Sequence, residues 1–286
     1  ELHARSVALG LLDHGHVVGV FTRTGDAVRP AYEVTTGSDG RIGITRINHL
    51  FANDQTVESI YKNARVHEAF ERELDEFRPD LVHIHHLTGL STTLIEALKL
   101  RRIPVVLTLH DFWTICPRGQ RIHPDLTICE TIDRERCFAC LGGLWPHLFA
   151  DRAAERTIVD IRGHLAPDGL AEWDRNMVYA LGLCDLLISP SEFLRDKVLE
   201  MGLRPRRIEV LPNFVDTAAY YPSEDDDGYA LYVGRLSPEK GLDTLIRAAA
   251  EVPDLPIRIA GTGEIESELR GLAEELGATH VTFEGF

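Results

Sequence analysis

The sequence has no apolar run long enough to cross a bilayer, and it carries no signal-peptide pattern. It also lacks an excess of positive charge: 30 Lys and Arg stand against 45 Asp and Glu, a formal net charge of −15. A phosphate backbone demands a basic face, so nucleic acid is not an expected partner, and anionic lipid gains no general attraction. Cysteine is sparse, with 5 in 286 residues. That sets aside a disulfide-rich secreted scaffold and makes the cytosol the expected compartment. No G-x-G-x-x-G follows a strand-like segment, which argues against a dinucleotide-dependent oxidoreductase.

What remains is a globular composition, 44% hydrophobic and 26% charged, in a chain longer than one ordinary domain needs. Two domains are expected. Ala4, Ala8, Leu11 and Leu12 form a helical stripe that stops at Gly15, and His16 to Thr22 follows as a strand. Residues 25–43 are polar and loop-like, with a weak strand from Ile42 to Ile47. Apolar spacing from Val57 to Phe77 predicts one long amphipathic helix. Strands at 80–86 and 104–109 bracket a helix around Leu94 and Leu98, and a strand at 186–189 leads to a helix capped by Ser191. A last strand at Ile208–Leu211 closes this part. Near the end, strands at 230–233, 256–260 and 281–283 alternate with two helices. Such alternation predicts parallel sheets covered on both faces, with ligands at the carboxyl ends of the strands.

The stretch most suggestive of chemistry runs Leu231-Tyr232-Val233-Gly234-Arg235-Leu236-Ser237-Pro238-Glu239-Lys240-Gly241. A strand passes through a glycine turn into a helix with apolar residues at Leu242, Leu245, Ile246, Ala249 and Ala250. A helix N-terminus after a glycine turn favours an anion, and a guanidinium beside an ammonium suits a phosphate or diphosphate. A surface loop whose Arg235 and Lys240 face water fits the same residues. Downstream, Gly261-Thr262-Gly263 follows a strand and opens a helix, where glycine lets a backbone approach a nucleotide closely.

Two strand ends carry polar clusters, His85-His86 and His110-Asp111. A strand-end histidine is either a structural hydrogen-bonder or a site residue, and the spacing of these groups matches no standard metal pattern. Residues 112–180 leave the βα alternation. They hold Cys116, Cys129, Cys137 and Cys140, of which Cys137-x-x-Cys140 has the tight spacing of a zinc knuckle. A structural zinc site, a disulfide and unrelated thiols are the three readings; redox catalysis is not expected without a surrounding thioredoxin-like βαβ unit. Leu144, Trp145, Leu148 and Phe149 are expected to begin a helix whose aromatic end joins the core or touches an acceptor or a membrane surface.

G-R-L-S-P-E-K-G-L-D-T-L-I-R-A, from Gly234 onward, resembles the donor-site signature of retaining GT-B glycosyltransferases of family 4. The resemblance implies an α/β fold of GT-B type, two Rossmann-like domains with parallel sheets, the second incomplete. It assigns 1–222 to an acceptor-side domain with a cysteine-containing insertion at about 112–180, 223–228 to a linker, and 229–286 to part of a nucleotide-sugar-binding domain. By resemblance, Gly234, Arg235 and Lys240 hold the donor diphosphate, and Gly261 and Gly263 form the second donor-side loop. Thr108-Leu109-His110-Asp111 is similar to the family's T-x-H-D, which puts His110 near the donor sugar and the acceptor. Pro212-Asn213-Phe214-Val215-Asp216 resembles the family's P-N-G-V-D turn, with Phe214 in place of glycine.

The implied activity is transfer of a sugar from a UDP- or GDP-sugar to a glycan, lipid-linked or small-molecule acceptor with configuration retained. No cofactor is required for this, and peripheral contact with the inner face of the membrane is compatible with it. The family's first glycine turn would precede Glu1 and its paired glutamates would follow Phe286, so a piece truncated at both ends, inactive by itself, is expected. Another GT-B nucleotide-sugar enzyme, epimerase-like, and a non-catalytic binding protein derived from a transferase are the alternatives.

Overall fold

The computed structural model describes residues 2–149, 156–218 and 226–286. The linker expected at 223–228 lies outside the described residues as far as 225. The chain forms two compact units, one of Glu1–Pro124 with Ile128–Phe214, the other of Val215–Phe286 with Asp125–Thr127.

The first unit opens with helix α1 (Leu2–Asp13), then β1 (Gly19–Thr24), β2 (Val34–Asp39) and β3 (Ile42–Asn48). Their sheet has the order β1-β3-β2, with β1 parallel and β2 antiparallel to β3. The segment read as loop is therefore in part a strand. Val34-Thr35-Thr36-Gly37-Ser38-Asp39 is an edge strand exposed at four of its six positions, so no apolar alternation marks it. Its turn into β3 needs a left-handed residue, supplied by Gly40 at φ 57.

Helix α2 (Ala64–Phe77) buries Val66, Ala69, Phe70 and Leu74. It starts later than the apolar spacing suggested. Asn63 takes an extended backbone, and its side chain accepts from the amides of Arg65 and Val66, 3.1 and 3.2 Å away. Val57 and Ile60 are buried before that cap, on a separate short 3₁₀ turn at Glu58–Ile60. α2 stops where Arg78 turns left-handed before Pro79.

β4 (Val82–Ile84), α3 (Thr93–Leu100), β5 (Val105–Thr108), β8 (Leu186–Ser189), α6 (Glu192–Glu200) and β9 (Ile208–Val210) build a wholly parallel sheet in the order β4-β5-β8-β9. Ser191 caps α6 by accepting from the Leu194 amide at 3.2 Å. Between β5 and β8 lie α4 (Arg134–Leu144), a hairpin of β6 (Thr157–Val159) and β7 (Leu165–Pro167), and α5 (Asp168–Gly182). A buried ion network holds this insertion to itself. Arg134 and Asp174 pair in a two-pronged contact, the second prong at 2.9 Å, while Arg162 grips Asp160 and reaches Asp174 at 3.5 Å. Trp173 is fully buried with the Arg134 guanidinium 5.3 Å from its ring centre.

No helix begins at Leu144. α4 ends there, because the residue before a proline is pushed out of helical geometry, and Trp145 precedes Pro146 with φ −129, ψ 60. Leu148 and Phe149 are 6% and 4% exposed in the core, and Phe149 meets Phe138 edge-on at 4.8 Å. They are not available to a membrane or an acceptor. Among the described residues no helix is long and apolar enough to cross a membrane.

The second unit is a strand–helix repeat: β10 (Ala230–Val233), α7 (Leu242–Ala250), β11 (Ile257–Ala260), α8 (Glu266–Glu275) and β12 (Val281–Gly285). Its sheet is parallel in the order β10-β11-β12. Leu236, Leu242, Ile246, Ile257, Ile259 and Leu269 form its core. The strand and helix positions read from the alternation fall within a few residues of these elements.

Candidate functional site

The second unit carries the strand–turn–helix with its basic pair. β10 ends at Val233, and the chain then passes Gly234 and Arg235 to Leu236, whose side chain is fully buried. A short 3₁₀ turn, Pro238–Lys240, leads to Gly241, which sits left-handed at φ 65 and begins α7. Among the described residues no side chain caps that helix N-terminus. Its leading amides and the positive end of its dipole are therefore free to meet an anion.

Arg235 and Lys240 flank the turn and both are exposed. They differ in how they are held. Arg235 lies 3.7 Å from Glu239, while Lys240 makes no ion pair among the described residues. The Ser237 hydroxyl donates to Glu239 at 2.8 Å, which holds that carboxyl below the usual range and keeps it charged. Any anion arriving there would compete with Glu239 for Arg235 and would meet a Lys240 unpaired among the described residues. Tyr232 fixes the loop from below, its hydroxyl donating to the Arg235 carbonyl at 2.9 Å.

Gly261 and Gly263 lie against this loop. Gly234 N–H donates to the Ala260 carbonyl and Leu236 N–H to the Thr262 carbonyl, each at 3.0 Å, while Ile265 N–H reaches the Leu236 carbonyl at 3.3 Å. A Cβ on Gly261 would stand 1.8 Å from the Gly234 carbonyl oxygen, and one on Gly263 would stand 2.1 Å from that of Leu236. Gly261 also has φ 142, where L side chains are strained. The two glycines thus let one loop close upon the other. The sequence reading had given them a different reason, the approach of a nucleotide.

In the first unit the strand ends gather histidines. Residues two apart on a strand share a face, so β4 brings His83 together with His85 just beyond its end. Their ring centres are 4.2 Å apart. His83 Nε2 lies 2.7 Å from Thr108 Oγ1, and His85 Nδ1 lies 3.1 Å from His110 Nε2. His3 of α1 joins edge-on, 5.8 Å from His85 and 5.5 Å from His110, with the exposed Phe214 5.3 Å beyond. Charge is disfavoured on three of these rings. Burial and the neighbouring imidazoles push His83 down to about 4 and His85 to about 3, and draw His110 below its ordinary value. Asp111 turns away to accept from the Trp113 amide at 2.7 Å and to pair with His86 at 3.2 Å. Burial works against its charge, but His86 and that amide hold it below the usual carboxylate range.

His110 is thereby brought together with His85, whereas Arg235, Lys240, Gly261 and Gly263 form the separate cluster of the second unit. The parts not singled out from sequence are His3, His83 and Glu239. For His83 a signal existed in its period-two spacing to His85. For His3, some eighty residues upstream, none did.

The four cysteines weighed as a zinc site share one region, since Cys116 and Cys140 act on the charge of Cys129, and Cys116 and Cys129 on that of Cys137. All five are free thiols, and among the described residues no three His, Cys, Asp or Glu are gathered to hold a metal ion. Guanidinium groups occupy the sulfurs instead. Arg134 Nη1 lies 3.4 Å from Cys137 and Arg118 Nη1 3.9 Å from Cys140, while Cys129 donates to the Thr131 carbonyl at 3.2 Å. Burial pushes the Cys129 and Cys137 thiols up despite the nearby cations, so they stay protonated.

Residues 1–219 match the family model for Glycosyltransferase Family 4, and residues 218–286 that for Glycosyl transferases group 1. A GDP-mannose-dependent alpha-(1-6)-phosphatidylinositol monomannoside mannosyltransferase of Mycolicibacterium smegmatis is 29% identical over 148 residues, 46% of this chain and 39% of that one. Across the curated relatives the matched stretch takes in between 24% and 42% of their length. Among solved structures, sucrose-phosphate synthase from Thermosynechococcus elongatus superposes with a TM-score of 0.58 at 18% identity, over 99% of this chain and 64% of that one. Anabaena HepE in complex with UDP gives 0.53 at 16%, over 94% and 69%. At these identities the likeness concerns the fold, which is α/β of the GT-B type.

Proposed function

The chain belongs to glycosyltransferase family 4, whose model takes in residues 1–219, and from that membership we propose that the whole protein moves a sugar from a UDP- or GDP-sugar to an acceptor hydroxyl with anomeric configuration retained. The observation that carries the reading is the uncapped N-terminus of α7 with Arg235 and Lys240 beside it. In transfer, the bond from the anomeric carbon to the diphosphate oxygen breaks, one to the acceptor oxygen forms, and the proton of the acceptor hydroxyl passes to the departing diphosphate oxygen. Negative charge gathers on the departing diphosphate, where a preorganised guanidinium, an ammonium and free amides are worth most. These groups supply the positive charge from the chain itself. Gly234 gives the turn its course, and Gly261 and Gly263 hold the second loop against it.

His110, exposed at the end of β5, contacts the sugar or the acceptor hydroxyl in this reading and is not assigned as general base. The UDP carried by the Anabaena neighbour supports a nucleotide-linked donor. The acceptor is a glycan, a lipid-linked molecule or a small molecule, the lipid-linked class being favoured by the phosphatidylinositol mannoside substrate of the relative from Mycolicibacterium.

The test is release of nucleotide from a panel of nucleotide sugars, with candidate acceptors present, by the whole protein. Lys240→Ala should lower turnover by about 10²-fold, the usual loss when one transition-state charge partner is removed, with the circular dichroism spectrum unchanged. Unaltered turnover in that variant would sink the diphosphate assignment. Release of a changed sugar without any acceptor would replace transfer by epimerisation.

A further inference from the structure

The contact between His85 and His110 joins Nδ1 of one ring to Nε2 of the other at 3.1 Å. Two neutral imidazoles meeting this way share one proton position, since one nitrogen must donate and the other accept. Only two arrangements satisfy the pair. In one, His85 donates from Nδ1, which leaves His110 with its proton on Nδ1 as well. In the other, His110 donates from Nε2, and His85 carries its own proton on Nε2. The contact therefore couples the rings: both are Nδ1–H or both are Nε2–H. For a neutral histidine side chain Nε2–H is the intrinsically favoured form. The second arrangement puts both rings in their preferred form and the first puts neither.

We infer that His85 is a positioning residue that accepts from His110 Nε2–H and so leaves His110 Nδ1 as a bare acceptor, directed to a hydroxyl of the bound sugar or acceptor. The functional half of this inference rests on the glycosyl-transfer reading; the tautomer half does not. Coupling makes the selection sharper than either ring achieves alone, because the ratio of the two paired arrangements is the product of two single-ring preferences. Neutrality, which the pairing needs, follows from the surroundings. His83 lies tilted against His85 with ring centres 4.2 Å apart, His3 approaches both rings of the pair, and His83 is tied to Thr108 at 2.7 Å. Burial and the neighbouring rings disfavour a charge on either member of the pair. An imidazolium at His110 would donate from both nitrogens and could not accept from a sugar hydroxyl. His85 thus keeps His110 an acceptor.

The test is a long-range ¹H–¹⁵N correlation of the histidine rings in the labelled protein at neutral pH, without substrate, with His110 assigned by His110→Gln. The expected spectrum shows His110 protonated at Nε2 and bare at Nδ1. His85→Asn, whose Oδ1 stands where Nδ1 stood, should preserve that pattern. His85→Phe should raise the Nδ1–H population of His110 several-fold, since the coupling is gone. In the transfer assay His85→Asn should keep the wild-type kcat, whereas His85→Phe should lower kcat with KM for the nucleotide sugar held. His110 protonated at Nδ1 in the wild-type spectrum would overturn the inference even if no His85 variant folds, and so would an unaltered tautomer ratio in a folded His85→Phe. Because the spectrum needs no substrate, a lack of sugar transfer would strike the proposed function and leave the tautomer result standing.

Discussion

Replacing Gly261 by Ala separates two roles for a glycine beside a nucleotide loop. A methyl group there would stand 1.8 Å from the Gly234 carbonyl oxygen and 2.9 Å from its carbon, both backbone atoms that cannot swing aside. The loops must part, which breaks the Gly234-to-Ala260 and Leu236-to-Thr262 hydrogen bonds, each 3.0 Å long. Two such bonds contribute about 1–3 kcal/mol together, and an L-residue at φ 142 adds about 1–3 kcal/mol of strain. The loss is then about 2–6 kcal/mol. A unit of roughly 70 residues has about 4–11 kcal/mol in all, so much of the second unit's stability should go. Gly241→Ala is the control: its φ of 65 is also left-handed, but an added Cβ meets nothing within 4 Å. That change should cost only about 1 kcal/mol. Urea unfolding followed by circular dichroism, with hydrogen exchange at the Gly234 and Leu236 amides, measures both. If Gly261→Ala proves as stable as Gly241→Ala and loses only nucleotide binding, the loop-closure reasoning is refuted and the glycine serves the ligand.

Acidification offers a second check. His83 and His85 are held near 4 and 3 when folded, against an ordinary value of about 6.5. Below pH 6.5 the unfolded chain binds protons that the folded chain refuses, so stability present above pH 6.5 falls as pH drops toward 4. With their partial exposure discounted, the two should cost about 2 kcal/mol between pH 6.5 and 5. His49 pulls the other way, because burial would lower it but the Asp54 carboxylate 3.3 Å away and the hydrogen bond with the Gly89 carbonyl leave it raised. The wild-type slope must therefore be compared with that of a His83→Gln/His85→Asn variant, and equal slopes would refute the assignment. In the insertion, Asp174→Asn leaves the buried Arg134 charge without its partner and should cost about 3–5 kcal/mol in urea unfolding. A loss under 1 kcal/mol would mean that the network is not a stabilising anchor.

The second unit was legible because its signals are local. Gly234, Pro238 and Gly241 punctuate a strand and a helix whose apolar positions lie within twenty residues, and the helix buries Leu242, Ile246 and Ala249 as its period says, although Leu231 and Val233 of the strand stay exposed. The loop-to-loop packing of Gly261 and Gly263 was not legible, since a glycine that admits a neighbouring carbonyl reads the same as one that admits a phosphate. In the first unit, Asn63 cut a continuous apolar stripe by capping a helix from within it. The cysteine spacing suggested a metal, but nothing in it showed that Arg134, one helical turn before Cys137, and Arg118 would stand against two of the sulfurs. The strand-end histidines could be placed on one sheet edge, yet the pairing of His85 with His110 depends on the β4–β5 register, which sets Ile84 opposite Leu107.

The insertion also bears on how quickly the protein becomes itself. β5 and β8 are neighbours in the sheet, with Val106 opposite Leu186, although the whole α4–β6–β7–α5 segment separates them in the chain. β10 and β11, with Ala230 opposite Ile257, are joined by a single turn and helix. Closing a loop about three times longer costs about 1 kcal/mol more, or roughly fivefold in rate if it is met in the transition state. The earlier-synthesised unit is on this account the later to finish, with the edges of β5 and β8 exposed during the interval. The buried Arg134–Asp174 pair then gains a kinetic meaning: an insertion that folds on its own contacts shortens the span that β5 and β8 must search, and draws their edges together before they meet another chain.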